Sequence, residues 1–235
     1  MKNNTICTLT MLALTMVAGF TGGTTAQAEI RSHANDVVVV EPQQLPEAAQ
    51  QTGNSLFVHA NDAGESYLYV EQQQGRRLSV FDVTDPAKIK TISTIALHEG
   101  RAFDFVRPLN DRIEILRYRD NNQVGFLDLR RAAQPVVRMS DVTIEEAGEQ
   151  LGSNVLMTTG AVYQYEPAVA QDYQVIDITR NGTSTLLTTV KQVKHRTSNA
   201  DMGTTFLLGS DGLTVVRRLD VEKEYKVHLT QMQGN

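Results

Sequence analysis

The chain has 235 residues, with 27 acidic against 22 basic side chains and a formal net charge of −5. That mild acidity argues against a general binder of nucleic acid or of anionic membrane, since such proteins are usually basic. A single cysteine, Cys7, excludes an internal disulfide framework.

The chain opens with Met1-Lys2, followed by an apolar stretch from Ile6 to Phe20 and a small-residue segment ending Ala26-Gln27-Ala28. This pattern predicts a secretory signal peptide over residues 1–28, with Glu29 as the mature N-terminus. Thr and Gly interrupt the apolar run, which falls short of the ~20 residues of a membrane span. Cys7 lies inside the signal, so the mature chain carries no thiol chemistry and no thiolate metal site. The expected location is the bacterial periplasm or the exterior, with no membrane anchor after cleavage. The mature chain is long enough to bury a core without disulfides.

Residues 29–54 read as a leader that carries one strand, Val37–Val40, a run of β-branched side chains. Pro42 and Pro46 break the chain, and Glu47–Gln51 is a helical turn or a loop. A first repeat spans residues 55–97, with strands at Leu56–Val58, Ser66–Val70, Leu78–Val83 and Ile89–Ile95. Gln72-Gln73-Gln74-Gly75 and Thr84-Asp85-Pro86 are its turns. A second repeat, 102–139, has strands at Ala102–Val106, Ile113–Tyr118, Val124–Leu129 and Val136–Met139. The acidic stretch Asp141–Leu151 predicts a short helix with early carboxylates. A third repeat, 154–193, places strands at Val155–Thr158, Val162–Tyr165, Tyr173–Ile178 and Thr183–Val190. Asn181-Gly182-Thr183 matches a glycosylation acceptor but reads as a hairpin turn. The fourth repeat, 204–232, has strands at Thr205–Leu208, Leu213–Val216 and Tyr225–Leu229, one fewer than the others.

An apolar-Asp-apolar triplet recurs at Asp82, Asp128, Asp177 and Asp220, at intervals of 46, 49 and 43 residues. One four-stranded propeller blade consumes roughly 40–50 residues. The expected fold is therefore all-β: a small β-propeller of four blades. Val37–Val40 completes the short last blade and removes an exposed edge. An irregular β-sandwich is the alternative. Aligning the fourth repeat on its glycine turn puts Arg217 opposite Asp82 and leaves Asp220 out of register.

Tyr67-Leu68-Tyr69-Val70, Gly75 and Leu78-Ser79-Val80-Phe81-Asp82-Val83-Thr84-Asp85-Pro86-Ala87-Lys88 together resemble an LVIVD repeat. The match covers Ser66–Ile95. It is partial at Val124–Leu129 and Tyr173–Ile178, which lack the following Asp-Pro. The resemblance implies a β-propeller in a secreted or surface-associated protein of interaction type, and supplies no catalytic residues.

The four aspartates read as blade markers. Each is placed to accept backbone N–H groups from a following turn. His33, His59, His98, His195 and His228 lack paired metal-ligand spacing. No Walker loop or nucleophile elbow is present. Arginine is biased to the first half: Arg76, Arg77, Arg101, Arg107, Arg112, Arg117, Arg119, Arg130 and Arg131. Arginine suits carboxylate recognition and interface hot spots. Arg76, Arg77, Arg117 and Arg119 are the candidate partner-binding residues. Lys191, Lys194, His195 and Arg196 form a second basic cluster in an expected loop. The functional expectation is an exported, non-enzymatic module, without cofactor, that binds another envelope or secreted protein or a ligand. The alternative is an exported lactonase-like hydrolase with a metal in the axial channel, for which Glu71, Asp104 and Glu166 are the places to look.

Overall fold

Two strands open the structure, Ile30–Arg31 (β1) and Val37–Val40 (β2), the second built from four consecutive valines. A computed structural model of the protein describes residues 29–32, 36–98, 100–143, 149–150, 156–157, 169–178 and 184–233. Short 3-10 turns at Pro42–Gln44 and Glu47–Gln50 follow, where proline fixes φ and withholds a donor. Then come Gly53–Ala60 (β3), Ser66–Gln72 (β4), Arg77–Asp82 (β5) and Lys90–Ala96 (β6). They form one antiparallel sheet in chain order. Phe103–Asn110 (β7), Ile113–Tyr118 (β8), Gln123–Asp128 (β9) and Val136–Thr143 (β10) form a second sheet of the same plan.

Glu149–Gln150 (β11) and Leu156–Met157 (β12) make a two-residue ladder, and Gln171–Ile178 (β13) pairs with Ser184–Val193 (β14). His195–Asn199 (β15), Thr204–Gly209 (β16) and Gly212–Arg218 (β17) close the strand list, and Leu219–Gln233 forms the only α-helix of the described residues (α1). The chain is thus all-β with one C-terminal helix. Among the described residues, none of the antiparallel sheets closes on itself. No helix of the described residues is long and apolar enough to cross a membrane.

The chain ends meet in the last sheet, whose order is β1-β2-β17-β16-β15. Val40 lies opposite Val215, Val39 opposite Val216 and Val38 opposite Arg217. The expected pairing of Val37–Val40 with the last repeat is present.

The sheets stack through their faces. Val38, Val40, Phe206, Leu208 and Val215 of the last sheet share a buried layer with Leu56, Leu68, Val70 and Phe81 of the first. The opposite face of the first sheet sends Tyr69, Leu78 and Val80 against Phe103, Leu116, Tyr118 and Leu127 of the second. Adjacent residues Leu68 and Tyr69 therefore both disappear from solvent into different layers. This is why the sequence there is continuously apolar rather than alternating. Val190 and Val193 of β14 cover Leu207 of β16. Edge strands of three sheets adjoin: β3 lies against both β7 and β15.

Three expectations are corrected. Tyr225–Leu229 is helix rather than strand. Its segment is rich in Glu, Lys and Gln, which favour helix, and Glu222 pairs with Lys226 one turn on. Asp220 therefore sits in the first turn of α1 and does not end a strand. Asp141–Thr143 continues β10 and Glu149–Gln150 is β11, so the predicted acidic helix is absent from the described part of 141–151. There the β-branched Val142 and Thr143 prolong the preceding strand. His195 and Arg196 lie on β15 rather than in a loop, held by five-residue pairing with β16. His33, Val162–Tyr165, Glu166 and the Asn181-Gly182-Thr183 turn lie outside the described residues.

Arg217 takes the place the glycine alignment gives it, opposite the position of Asp82, and is 5 % exposed. Its guanidinium donates to both carboxylate oxygens of Glu222 at 2.9–3.0 Å. Lys226 Nζ then bridges Glu222 at 2.9 Å and Asp85 at 3.1 Å. A buried pair contributes little net stability, but losing one partner strands a charge. Arg217→Ala is expected to destabilise the fold by about 3–5 kcal/mol in urea unfolding, whereas Arg217→Ala combined with Glu222→Leu recovers part of the loss.

Gln73, Gln74 and Gly75 hold consecutive positive φ angles of 53°, 54° and 80°. A Cβ on Gly75 would sit 1.8 Å from the Arg101 carbonyl oxygen, where the second sheet begins. Gly64 also has positive φ, 79°, but nothing within 4 Å. Gly64→Ala is expected to cost about 1 kcal/mol of left-handed strain. Gly75→Ala adds a backbone clash and is expected to cost about 3 kcal/mol or more in the same measurement.

Candidate functional site

Where β3, β7 and β15 adjoin, side chains of three sheets are tied together. The Phe105 N–H donates to Ser55 Oγ at 3.2 Å, and Phe57 stacks on Phe105 with ring centroids 5.7 Å apart. Arg119, just after β8, grips Asp104 of β7 through Nη2 at 2.5 Å and Nε at 3.2 Å. The same Nη2 donates to the Asn54 carbonyl at 3.0 Å. His195 of β15 brings Nε2 to 3.9 Å from Asp104 Oδ1. Burial lowers the His195 pKa more than Asp104 raises it, so the ring is neutral at pH 7 and this approach is no ion pair.

Glu71 of β4 belongs to the same junction and is fully buried. Burial lifts its pKa to about 7 against the opposing pull of Arg119, Asn54 and the Gly75 N–H. Neither carboxylate oxygen closes a hydrogen bond of normal geometry. Glu114 of β8 is equally buried, on the sheet face that carries Leu116 and Tyr118 toward the first sheet. Both its oxygens lack a partner, and burial alone raises its pKa to about 8. These two acids are more stable protonated inside the fold than ionised.

Thus Glu71 and Asp104, singled out from the sequence, do converge. Arg119 neutralises Asp104, while Glu71 holds its proton near neutral pH. Glu166 lies outside the described residues. His59, half-buried beside Phe57, His98 and His228 stand elsewhere, and no three His, Cys, Asp or Glu of the described residues are placed to share an ion.

Asp82, Asp128 and Asp220 act locally, whereas Asp177 makes a long-range contact in place of the expected turn role. Asp82 Oδ1 accepts the Thr84 N–H and Asp128 Oδ1 accepts the Arg130 N–H, both at 3.0 Å and two residues on. Asp177 is buried and accepts the Ser32 hydroxyl at 2.5 Å, which ties β13 to the N-terminal segment. Asp220 pairs with Arg218 on the surface at 3.2 Å.

The four candidate partner-binding arginines do not share one surface. Arg119 is spent on Asp104. Arg77 donates to Gln51 at 2.6 Å. Arg117 is half-buried on β8, and Arg76 is exposed in the hairpin turn between β4 and β5 of the first sheet. The arginines that do converge line an open cleft of about 580 Å³ on the second sheet. Its half-buried apolar lining is Ile113 and Phe126; its exposed cations are Arg112, Arg130 and Arg138. Arg138 is absent from the first-half arginine cluster. Its signal was the alternation in Val136-Val137-Arg138, which turns it outward on β10. His195 was missed as a strand residue because His195–Asn199 is polar throughout and shows no apolar period.

No family model matches the chain, and no curated protein is significantly similar to it.

Linkage fixes the sign of the pH effect. Unfolded Glu releases its proton near 4.5, while folded Glu71 and Glu114 hold theirs to about 7 and 8. The fold therefore benefits fully below pH 4.5 and loses that benefit as pH climbs to about 8. At 1.36 kcal/mol per pKa unit the loss is on the order of several kcal/mol. Urea midpoints are expected to fall between pH 5.5 and 9 for the native chain. Glu114→Gln is expected to flatten that fall and to be the more stable protein at pH 9; an unchanged slope would mean that Glu114 is ionised in the fold.

Proposed function

We propose that the protein is an exported, non-enzymatic β-propeller of LVIVD-repeat type, with four blades, that binds a partner in the bacterial envelope. The observation that carries this reading is the adjoining of β3, β7 and β15, edge strands of three sheets, while the N-terminal β2 extends the last sheet beyond β17. That is the arrangement by which propellers seat blades round an axis and close the ring. Sheet-to-sheet packing on both faces of the first sheet supports it. Export is supported by the signal-like residues 1–28. A binding role is supported by the polar junction, whose charges serve each other, and by the arginine-lined cleft, which faces outward.

A second reading, the lactonase-like hydrolase, draws on the convergence of Glu71 and Asp104 near His195. Its weakness is that Arg119 occupies Asp104. The mature chain, immobilised and exposed to periplasmic extract, is expected to retain a defined protein at stoichiometric level and to hydrolyse no lactone. Retention of nothing, together with a stoichiometric metal ion and lactone turnover, would replace the first reading with the second.

A further inference from the structure

Resting on the binding-module reading, we infer that the cleft of the second sheet is its docking face, and that the partner element is an acidic peptide segment bearing one apolar anchor.

The cleft has the size of a small binding site, about 580 Å³, within the roughly 300–1,000 Å³ range of such sites. Ile113 and Phe126 give it an apolar lining continuous with Leu109, Ile115 and Val124 behind them. Leaving Phe126 half-exposed in water has a cost that an apolar side chain from a partner removes.

The charges around the lining are uneven. Arg112 forms no side-chain hydrogen bond or ion pair among the described residues. Arg138 feels the charge of Asp128 but makes no ion pair with it. Arg130 clasps Asp128 through Nε and Nη2, and this pair holds the Asp128 pKa down to about 2. Asp128 is therefore already spoken for. Asp111 is the other acid of the lining.

A second hollow shares Asp128, Arg130 and Arg138 and extends the groove to Arg131 and to Val136, which is 45 % exposed. Four arginines thus face two acids along one groove. Guanidinium is less strongly hydrated than ammonium and matches carboxylate geometry with two parallel donors. Separated guanidiniums over an apolar lining fit an extended segment with carboxylates on both sides of one large apolar residue. The acidic balance of the whole chain disfavours a nucleic acid on the same groove, because its dense charge would meet repulsion outside it.

The test uses the mature chain and a fluorescein-labelled peptide with one Phe between two runs of three acidic residues. Anisotropy titration is expected to show saturable binding that weakens as NaCl rises from 50 to 300 mM. R112E/R138E is expected to weaken it at least about tenfold, the loss of two charge-assisted contacts. R112A/R138A is expected to fall between. A peptide with Phe→Ser is expected to bind about fivefold more weakly, and a Lys-for-acid peptide not to bind. Both substituted side chains, Arg112 and Arg138, are exposed, and unchanged thermal unfolding checks that the fold is kept. Equal peptide binding by R112E/R138E, no binding by the native chain, or tighter binding of an oligothymidylate would each overturn the inference. If R112E/R138E still retains the native chain's partner from periplasmic extract, the face is wrong and the binding-module reading stands. If the native chain retains no partner at all, that reading falls as well.

Discussion

The antiparallel ladder between β2 and β17 is the contact on which the remaining architecture depends. It joins residues near opposite ends of the chain, Val40 to Val215 and Val38 to Arg217. Its entropic cost is that of closing a very long loop, which grows only slowly with length. The return is large. Val38, Val39 and Val40 are all buried, and Val38 and Val40 complete the layer between the last sheet and the first. The ladder also sets Arg217 where it can reach Glu222, which fixes the start of α1, while Lys226 carries the network to Asp85 of the first repeat. One backbone pairing therefore positions a helix, a charge network and an apolar layer.

Both faces of the first sheet are covered by neighbouring sheets. One consequence is chemical. A carboxylate at Glu71 has no water to turn to, and Glu114 on the neighbouring sheet is in the same position. The Arg119–Asp104 pair next to Glu71 is fully engaged and leaves it with only partial compensation. These acids give the joint between the first two sheets a preference for mildly acidic conditions. Buried ionisable groups of this kind are often kept for geometry rather than for net stability. The three-sheet junction fits that pattern, because the Phe105 N–H to Ser55 and Arg119 to the Asn54 carbonyl both cross from the second sheet to the first.

How far the sequence told this story depends on the pattern each element carries. β2, β4, β5, β8 and β9 were legible because their side chains are β-branched or aromatic and the turns between them are Gly, Asn or Asp. The turn role of Asp82 could be read from Thr84-Asp85-Pro86. β15 was not legible: its residues are polar on both faces, and only pairing with β16 and contact with β3 make it a strand. α1 was misread because an apolar-Asp-apolar triplet happens to sit at its start, whereas the true equivalent of Asp82 in that repeat is an arginine. The proposed docking groove was half legible. The arginine excess was visible, but which arginines would be consumed internally is a three-dimensional matter. Arg119 finds a carboxylate fifteen residues away, and Arg112 finds none among the described residues.

The union of the two chain ends has a bearing on how the polypeptide is made. During synthesis, β2 emerges early and its partner β17 almost last. Until then, four valines present one open, uncharged strand edge of high strand propensity, the kind of segment that recruits other chains. Fragments that stop short of Gly212 keep that edge open for good, whereas fragments that begin after Val40 do not contain it. Premature termination is therefore more hazardous to this protein than loss of its leading residues, and quality control in the cell would have reason to watch its C-terminal end.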